Sequence, residues 1–496
     1  MTESHKLTGA TANLGGHWKA IDWLKAESEV KRLQMRIAKT VREGNKRKVK
    51  SLQWLLSHSF YAKLLATRRV SSNKGARTPG VDGVLWNTPA RKMRGALTLQ
   101  RRGYKALPLR RICIDKKNGK KRPLGIPTFK DRAMQALYLM TLEPVAETLG
   151  DPNSYGFRPF RACRDAIAQS FMILSKRNSA KWILEGDIKA CFDEISHDWL
   201  LENVALDKRM LQQWLKCGYI DNRKLFPTKS GTPQGGIISP VLANLTLDDL
   251  EEVVKKSCPS RSKVNFIRYA DDFIVTAAEK ELLEERVVPA INAFLKPRGL
   301  ELAPEKTGIV RIEEGFDFLG QNVRKYKEKF IRKPSKDNVN SIVRKIAATI
   351  KKHRGNKAED MIRELNHKIR GWCNYHRYIQ SSRAFGYVGT FIFHSLWRWS
   401  KQRYPKKNAQ WIYDKHFRDS KRNWGFSCCY KDEKGNRKHR ELISPYSVKL
   451  VRYIKIRGGA TPFDPEYTDY FKKRKVSRNC KPLPHYNLTV GTPVTG

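Results

Sequence analysis

Apolar residues in this chain fall into short dense runs through its middle third and into helical stripes toward its ends. Trp182-Ile183-Leu184 leads through Glu185-Gly186 into Asp187, and Phe266-Ile267 and Phe273-Ile274-Val275 flank Tyr269-Ala270-Asp271-Asp272. Runs this short, rich in β-branched and aromatic residues, read as strands. The second pair reads as a β-hairpin with Asp271 and Asp272 at its tip. Residues 109–127 read as another two strands, joined at the hairpin dipeptide Asn118-Gly119. Residues 339–376 change period: Ile342, Val343, Ile346 and Ile350, then Ile362, Leu365, Ile369 and Trp372, form stripes at helical spacing. The first 105 residues are also read as largely helical. No apolar run approaches the roughly 20 residues of a membrane span. The polar start Met1-Thr2-Glu3-Ser4-His5-Lys6 lacks the apolar core of a signal peptide, so a soluble, intracellular (cytoplasmic) protein is expected.

Charge changes this picture. The 496 residues carry 98 Lys and Arg against 48 Asp and Glu, a net of +50, which points to a polyanionic partner. Residues 181–320 hold 19 basic and 23 acidic side chains, so the excess lies wholly in the rest, 79 basic against 25 acidic. A protein that only coats nucleic acid has no reason to spare its middle, whereas a carboxylate centre for cations between basic surfaces suits a polymerase. Nine cysteines without a Cys-x-x-Cys pair argue against a disulfide framework and a structural zinc site. Cys428-Cys429 with Cys480 and His439 read as free thiols rather than a metal cluster.

The strand-end acids carry the candidate chemistry. Asp187, Asp271 and Asp272, brought side by side, would hold two Mg²⁺ ions about 3.5–4 Å apart for in-line displacement at phosphorus. Two ordinary turns are the plain alternative, since Asp favours turns. Between the acids, residues 231–240 (Gly-Thr-Pro-Gln-Gly-Gly-Ile-Ile-Ser-Pro) form a Gly- and Pro-rich loop before the apolar stretch 241–245, a candidate wall for a nucleotide. The cationic tip of the 109–127 hairpin offers donors to a triphosphate or, alternatively, a solvated edge.

Taken in order, Gly-Val-Asp-Gly at 80–83, the basic hairpin, Ser-Tyr-Gly-Phe-Arg-Pro at 154–159, the Asp187 segment, Thr-Pro-Gln-Gly-Gly and Tyr-Ala-Asp-Asp resemble a bacterial group II intron-encoded reverse transcriptase. The resemblance continues through Leu-Ala-Pro-Glu-Lys-Thr at 302–307, Phe-Asp-Phe-Leu-Gly at 316–320 and Leu-Asn-His-Lys-Ile-Arg-Gly-Trp at 365–372, the last similar to a maturase signature. It implies an α+β right-hand polymerase: an N-terminal extension and start of fingers in 1–105, fingers and palm in 106–330, a helical thumb or maturase domain in 331–403, and a basic DNA-binding region in 404–496. Residues 458–465 resemble the junction to a His-Asn-His nuclease, and the expectation is that this nuclease is missing or vestigial.

The resemblance also implies roles. Asp187 and Asp271 would be the main Mg²⁺ ligands, with Asp272 assisting and the Ile188 carbonyl completing a shell. Phe192 would stand against a ribose 2′-hydroxyl and Gln234 would line the pocket for a deoxynucleoside triphosphate, with Lys121 and Arg122 on its phosphates. Lys46, Arg47 and Lys48 in the N-terminal part, and Lys345, Lys352, Arg354, Lys368, Arg370 and Arg377 in the thumb, are candidates for intron RNA or for the template RNA–primer DNA duplex, though a charge run is usually a solvated face. The aromatic and basic stretch from Trp397 to Trp424 can stack bases, and the resemblance implies that residues after about 405 engage target DNA. The implied function is reverse transcription coupled to splicing and retrohoming; a noncatalytic maturase, and a reverse transcriptase recruited to a retron or an immune system, are the alternatives. The oligomeric state stays open.

Overall fold

The computed structural model describes residues 13–115, 119, 121–418, 425–431 and 435–476. The hairpin residue Asn118, Trp424 and Cys480 lie outside the described residues.

The helix Phe129–Leu149 is the axis of the N-terminal half. Apolar residues surround it on every side, as befits a fully buried helix, and helices Trp23–Arg42, Lys46–His58 and Phe60–Ser71 pack around it in one hydrophobic core shared with the palm. Pro144 lies inside this helix and has no N–H to give Met140. The Gln34 side chain makes up the loss by donating to the Met140 carbonyl at 2.9 Å, and Gln53 donates to Thr141 at 3.2 Å. The extension and fingers are thereby knitted into one body.

Strands β1 (Leu109–Asp115) and β2 (Lys121–Ile126) pair antiparallel as the sequence predicts, with Asp115 opposite Lys121. β4 (Tyr219–Asp221) and β5 (Lys224–Phe226) complete this finger sheet, β4 running parallel to β1. The palm is an antiparallel sheet in the order β6-β7-β3-β8, built from β3 (Trp182–Asp187), β6 (Asn265–Tyr269), β7 (Asp272–Ala277) and β8 (Gly308–Arg311). A meander of β9 (Phe316–Phe318), β10 (Gln321–Tyr326) and β11 (Lys329–Pro334) leads to the thumb helices Lys336–Lys352, Ala358–His376 and Ser382–Arg403. The predicted stripes form the thumb core: Ile342, Ile346, Ile350, Ile362, Leu365, Ile369 and Trp372 are buried, with Val343 packed against them.

That core runs past the boundary expected at 403. Ile412, Phe417, Phe426, Leu442 and Val448 belong to it, because a helix as apolar as Ser382–Arg403 needs a cover and these residues supply it. Trp399 and Phe417 are therefore core residues rather than base-stacking platforms. The chain then returns to the palm. The buried Asp165 carboxylate accepts from the Ile456 N–H at 2.7 Å and from Arg474 at 3.0 Å, and Arg161 donates to the Gly458 carbonyl at 2.7 Å. No helix among the described residues is long and apolar enough to cross a membrane.

Candidate active site

The catalytic candidates sit where two palm strands meet a tight turn. Tyr269 pairs with Asp272, so Ala270 and Asp271 are the two turn residues. Ala270 has φ 58°, a left-handed conformation that a residue with a Cβ adopts at a cost, and such strain persists where the surroundings enforce it. The enforcing contacts are visible. Residues 153–156 run beside β6: Arg268 N–H donates to Asn153 at 3.0 Å, Tyr155 N–H donates to Arg268 at 2.9 Å, and a Cβ on Gly156 would come within 2.3 Å of the Ala270 nitrogen. Arg268 itself is fully buried. Its guanidinium donates to Asp248 at 2.7 Å, to Asn244 at 3.0 Å and weakly, at 3.4 Å, to the Ala270 carbonyl. Asn244 in turn donates to the Gly156 carbonyl at 2.8 Å. Arg158 of the Phe-Arg-Pro stretch makes a bidentate buried pair with Glu147 at 2.8 and 3.1 Å and caps the carbonyls of Asp151 and Ser154.

On this base the acids converge. Asp187 ends β3 directly opposite Asp272 in the register, and Asp271 stands on the turn beside them. Burial raises the Asp271 carboxyl above its ordinary value, and Asp187 adds to the shift. Asp272 retains solvent contact, yet desolvation, then Asp271 and Asp187, push it up to about 7. Three carboxyls crowded until one tends to keep its proton form a site short of positive charge. Lys306 supplies some: its ammonium is ion-paired with Asp187. The backbone bonds Lys189 N–H to Glu301 (3.0 Å) and Ala303 N–H to Asp187 (2.8 Å) flank Ile188 and do not use its carbonyl.

Whether Mg²⁺ suits these residues follows from the donors. They are all hard oxygens, as Mg²⁺ prefers, and an ammonium already rests on one of them as a cation stand-in. Among the described residues, however, no group of three His, Cys, Asp or Glu side chains is gathered closely enough to hold an ion as it stands. The residues of the site fit a divalent cation in chemistry and charge.

The nucleotide-pocket candidates lie together. Gln234 accepts from Arg122 Nε at 2.5 Å and donates to Asp193 at 2.8 Å, and its carbonyl takes the Gly125 N–H at 2.9 Å. The loop thereby ties the finger hairpin to the short helix Cys191–Glu194. Phe192 in that helix is half-buried and meets Phe157 edge to face at 6.0 Å, and its carbonyl accepts the Thr232 N–H at 2.7 Å. Lys121 is exposed on β2 beside Arg122.

Comparison with known proteins completes the description. Residues 114–323 match the family "Reverse transcriptase (RNA-dependent DNA polymerase)", residues 18–99 match "N-terminal domain of reverse transcriptase", and residues 339–417 match "Group II intron, maturase-specific domain". Protein YkfC of Escherichia coli strain K12 is 33% identical over 312 residues, covering 53% of this chain and 81% of that one. The group II intron-encoded protein LtrA of Lactococcus lactis subsp. cremoris is 28% identical over 497 residues, covering 79% and 81%. The chain belongs to the group II intron-encoded reverse transcriptase and maturase family. Among solved structures, telomerase from Candida albicans in complex with a telomeric RNA fragment is similar over 62% of this chain at 12% identity and a TM-score of 0.36, too low to bear on function.

For a member of this family, the basic residues outside the palm are informative. Lys46, Arg47 and Lys48 are exposed and form the first turn of their helix, where the macrodipole disfavours cations. Lys345 and Arg354 are exposed, Lys352 and Lys368 share Glu364 at 3.0 and 2.9 Å, and Arg370 is half-buried. Arg377 departs from the expectation. It is 8% exposed, because Tyr378 lies against it and Val451 of the returning chain hydrogen-bonds to its carbonyl. It therefore lies inside the molecule and not on a groove-tracking face. Lys306 and the Arg268 to Asp248 pair were not singled out from sequence.

Proposed function

We propose that the protein is an active RNA-directed DNA polymerase that extends a DNA primer on an RNA template from deoxynucleoside triphosphates, and that it also holds its intron RNA for splicing and for reverse splicing into DNA. The supporting observation is the meeting of Asp187 and Asp272 as cross-strand partners, with Asp271 on a strained turn that a buried polar network holds from beneath.

In this reading Asp187, Asp271 and Asp272, with the carbonyl of Ile188, would hold two Mg²⁺ ions, whose chemistry would be to acidify the primer 3′-hydroxyl and offset charge on the pyrophosphate. Arg122 and Lys121 reach the triphosphate, Gln234 walls the nucleotide, and Phe192 excludes a ribose 2′-hydroxyl. Asp272, protonated below about 7, must lose its proton before it can serve as a ligand. The exposed cations of Lys46–His58 and of the thumb grip RNA and duplex backbone, and the protein works in the cytoplasm, at the nucleoid when bound to target DNA. The alternative, a noncatalytic maturase, draws on the match of residues 339–417 to the maturase-specific domain.

The test is Mg²⁺-dependent extension of a DNA primer on an RNA template. The intact chain extends the primer and Asp187→Asn does not; absence of extension by the intact, folded chain refutes the polymerase reading.

A further inference from the structure

Against the palm helix Cys163–Leu174 lies a cavity of about 1150 Å³, larger than the roughly 300–1,000 Å³ usual for ligand sites. It is formed where four parts of the chain meet: the palm helix Cys163–Leu174, strands β10 and β11 through Gln321 and Arg332, the end of the thumb helix Ala358–His376 with the residues after it, and the returning segment 452–458. Five of its lining side chains are cationic, Arg164, Arg332, Arg452, Lys455 and Arg457, and no described lining residue is acidic. The nearby Asp165 is wholly buried and already taken by Arg474 and two backbone N–H groups. The guanidinium of Arg164 lies 5.2 Å from the rings of both Tyr378 and Tyr453, and that of Arg332 lies 4.5 Å from Phe171.

Two further features add to this lining. Arg332 Nε and Gln321 Oε1, both on the cavity wall, are buried with no hydrogen-bond partner, and Gln321 is only 3% exposed. Buried polar atoms of this kind are rare in native proteins and costly to leave unmade. Around the opening, Phe171, Met172 and Ile454 stand 40%, 55% and 53% exposed, three large apolar side chains at one rim.

Cations with no ion-pair partner among the described residues, rings beside guanidinium groups and an apolar rim together match unpaired nucleotides, whose bases stack on flat apolar surfaces while their phosphates take arginine. Part of the wall, Tyr375 to Gln380, also falls within the segment that matches the maturase-specific domain. We propose that this cavity, lined by none of the residues named for the polymerase site, is a second RNA site that takes unpaired nucleotides of single-stranded RNA. It rests on the reading of the protein as an RNA-binding member of its family and not on its polymerase activity.

The probe is a short single-stranded oligouridylate carrying one 4-thiouridine, photocrosslinked to the intact chain, with the crosslinked peptides identified by mass spectrometry. Crosslinks are expected in 164–172 and 452–457 and should fall several-fold in Arg452→Glu/Ile454→Ser and in Met172→Glu, all exposed positions, with thermal melting confirming that each variant is folded. RNA-templated extension by these variants should match the intact chain. Crosslinks confined to other regions, or cavity crosslinks unchanged in both variants, overturn the proposal. Displacement by polyglutamate as readily as by unlabelled oligouridylate overturns it too, in favour of an acidic protein partner. A chain that crosslinks here but extends no primer keeps this site and loses the polymerase reading.

Discussion

In the palm, Arg268 is wholly buried and held by Asp248 and Asn244; in the thumb, Lys352 and Lys368 stand at or near the surface and share the partly exposed Glu364. Both are ion pairs, yet they do different work. The palm pair is out of water, so its members have no alternative partner, and its geometry is transmitted through Asn244 and Gly156 to the turn that carries Asp271. The thumb pair is wet and screened, so each lysine can leave Glu364 for a phosphate at little cost. The contrast separates a rigid device that fixes a position from a loose one that offers charge.

The largest effect that would break this contrast is in the palm. Arg268→Met leaves the Asp248 carboxylate buried without its partner and should cost about 3–5 kcal/mol, read from urea unfolding. Adding Asp248→Asn should recover part of that loss; an effect of Arg268→Met no larger than a surface substitution would remove the distinction. Next comes Gly156→Ala, whose Cβ would press on the Ala270 nitrogen. A displacement of the turn by a fraction of an ångström should lower primer extension by roughly 10²-fold, with RNA binding in a filter assay unchanged.

The two regions should also respond to pH with opposite sign. The folded-state value of Asp272 is raised from 3.8 to about 7, so without metal the folded chain holds a proton that the unfolded chain has lost; stability from this group falls as pH rises through that interval. Glu364 is held down to about 2 by His353, Lys368 and Lys352, so its smaller contribution is present above 4.5 and is lost as pH falls below it. Thermal melting against pH should show the first trend abolished by Asp272→Asn and the second by Glu364→Gln. Mg²⁺ should raise the melting temperature more above about 7 than below, where Asp272 keeps its proton. The smallest effect is Lys352→Ala: below about 1 kcal/mol in stability, but a measurable loss of RNA affinity that shrinks as salt is raised.

What the sequence made legible follows the same division. The hairpin, Asp187 and the thumb stripes were readable because strand and helix periods are local, and a core face shows itself within a few residues. The Gln234 loop could be placed beside the acids because it lies between them in order. Lys306 could not be recognised as the partner of Asp187, which is 119 residues away, nor could Arg268 be told from an ordinary basic residue before Tyr-Ala-Asp-Asp. Arg377 followed the helical rhythm of its exposed neighbours and is buried only because the returning chain covers it. The aromatics after Trp397 read as stacking platforms because, without knowledge of what lies under Ser382–Arg403, composition alone does not separate core from surface.

The most direct test of a palm fixed for catalysis and a thumb free for RNA is to assay Asp271→Ala beside the intact chain for both Mg²⁺-dependent primer extension and intron splicing. The account predicts that the substitution abolishes extension and leaves splicing intact. Splicing by an intact chain that extends no primer would contradict it, and would make the carboxyl centre a relic on an RNA-binding protein.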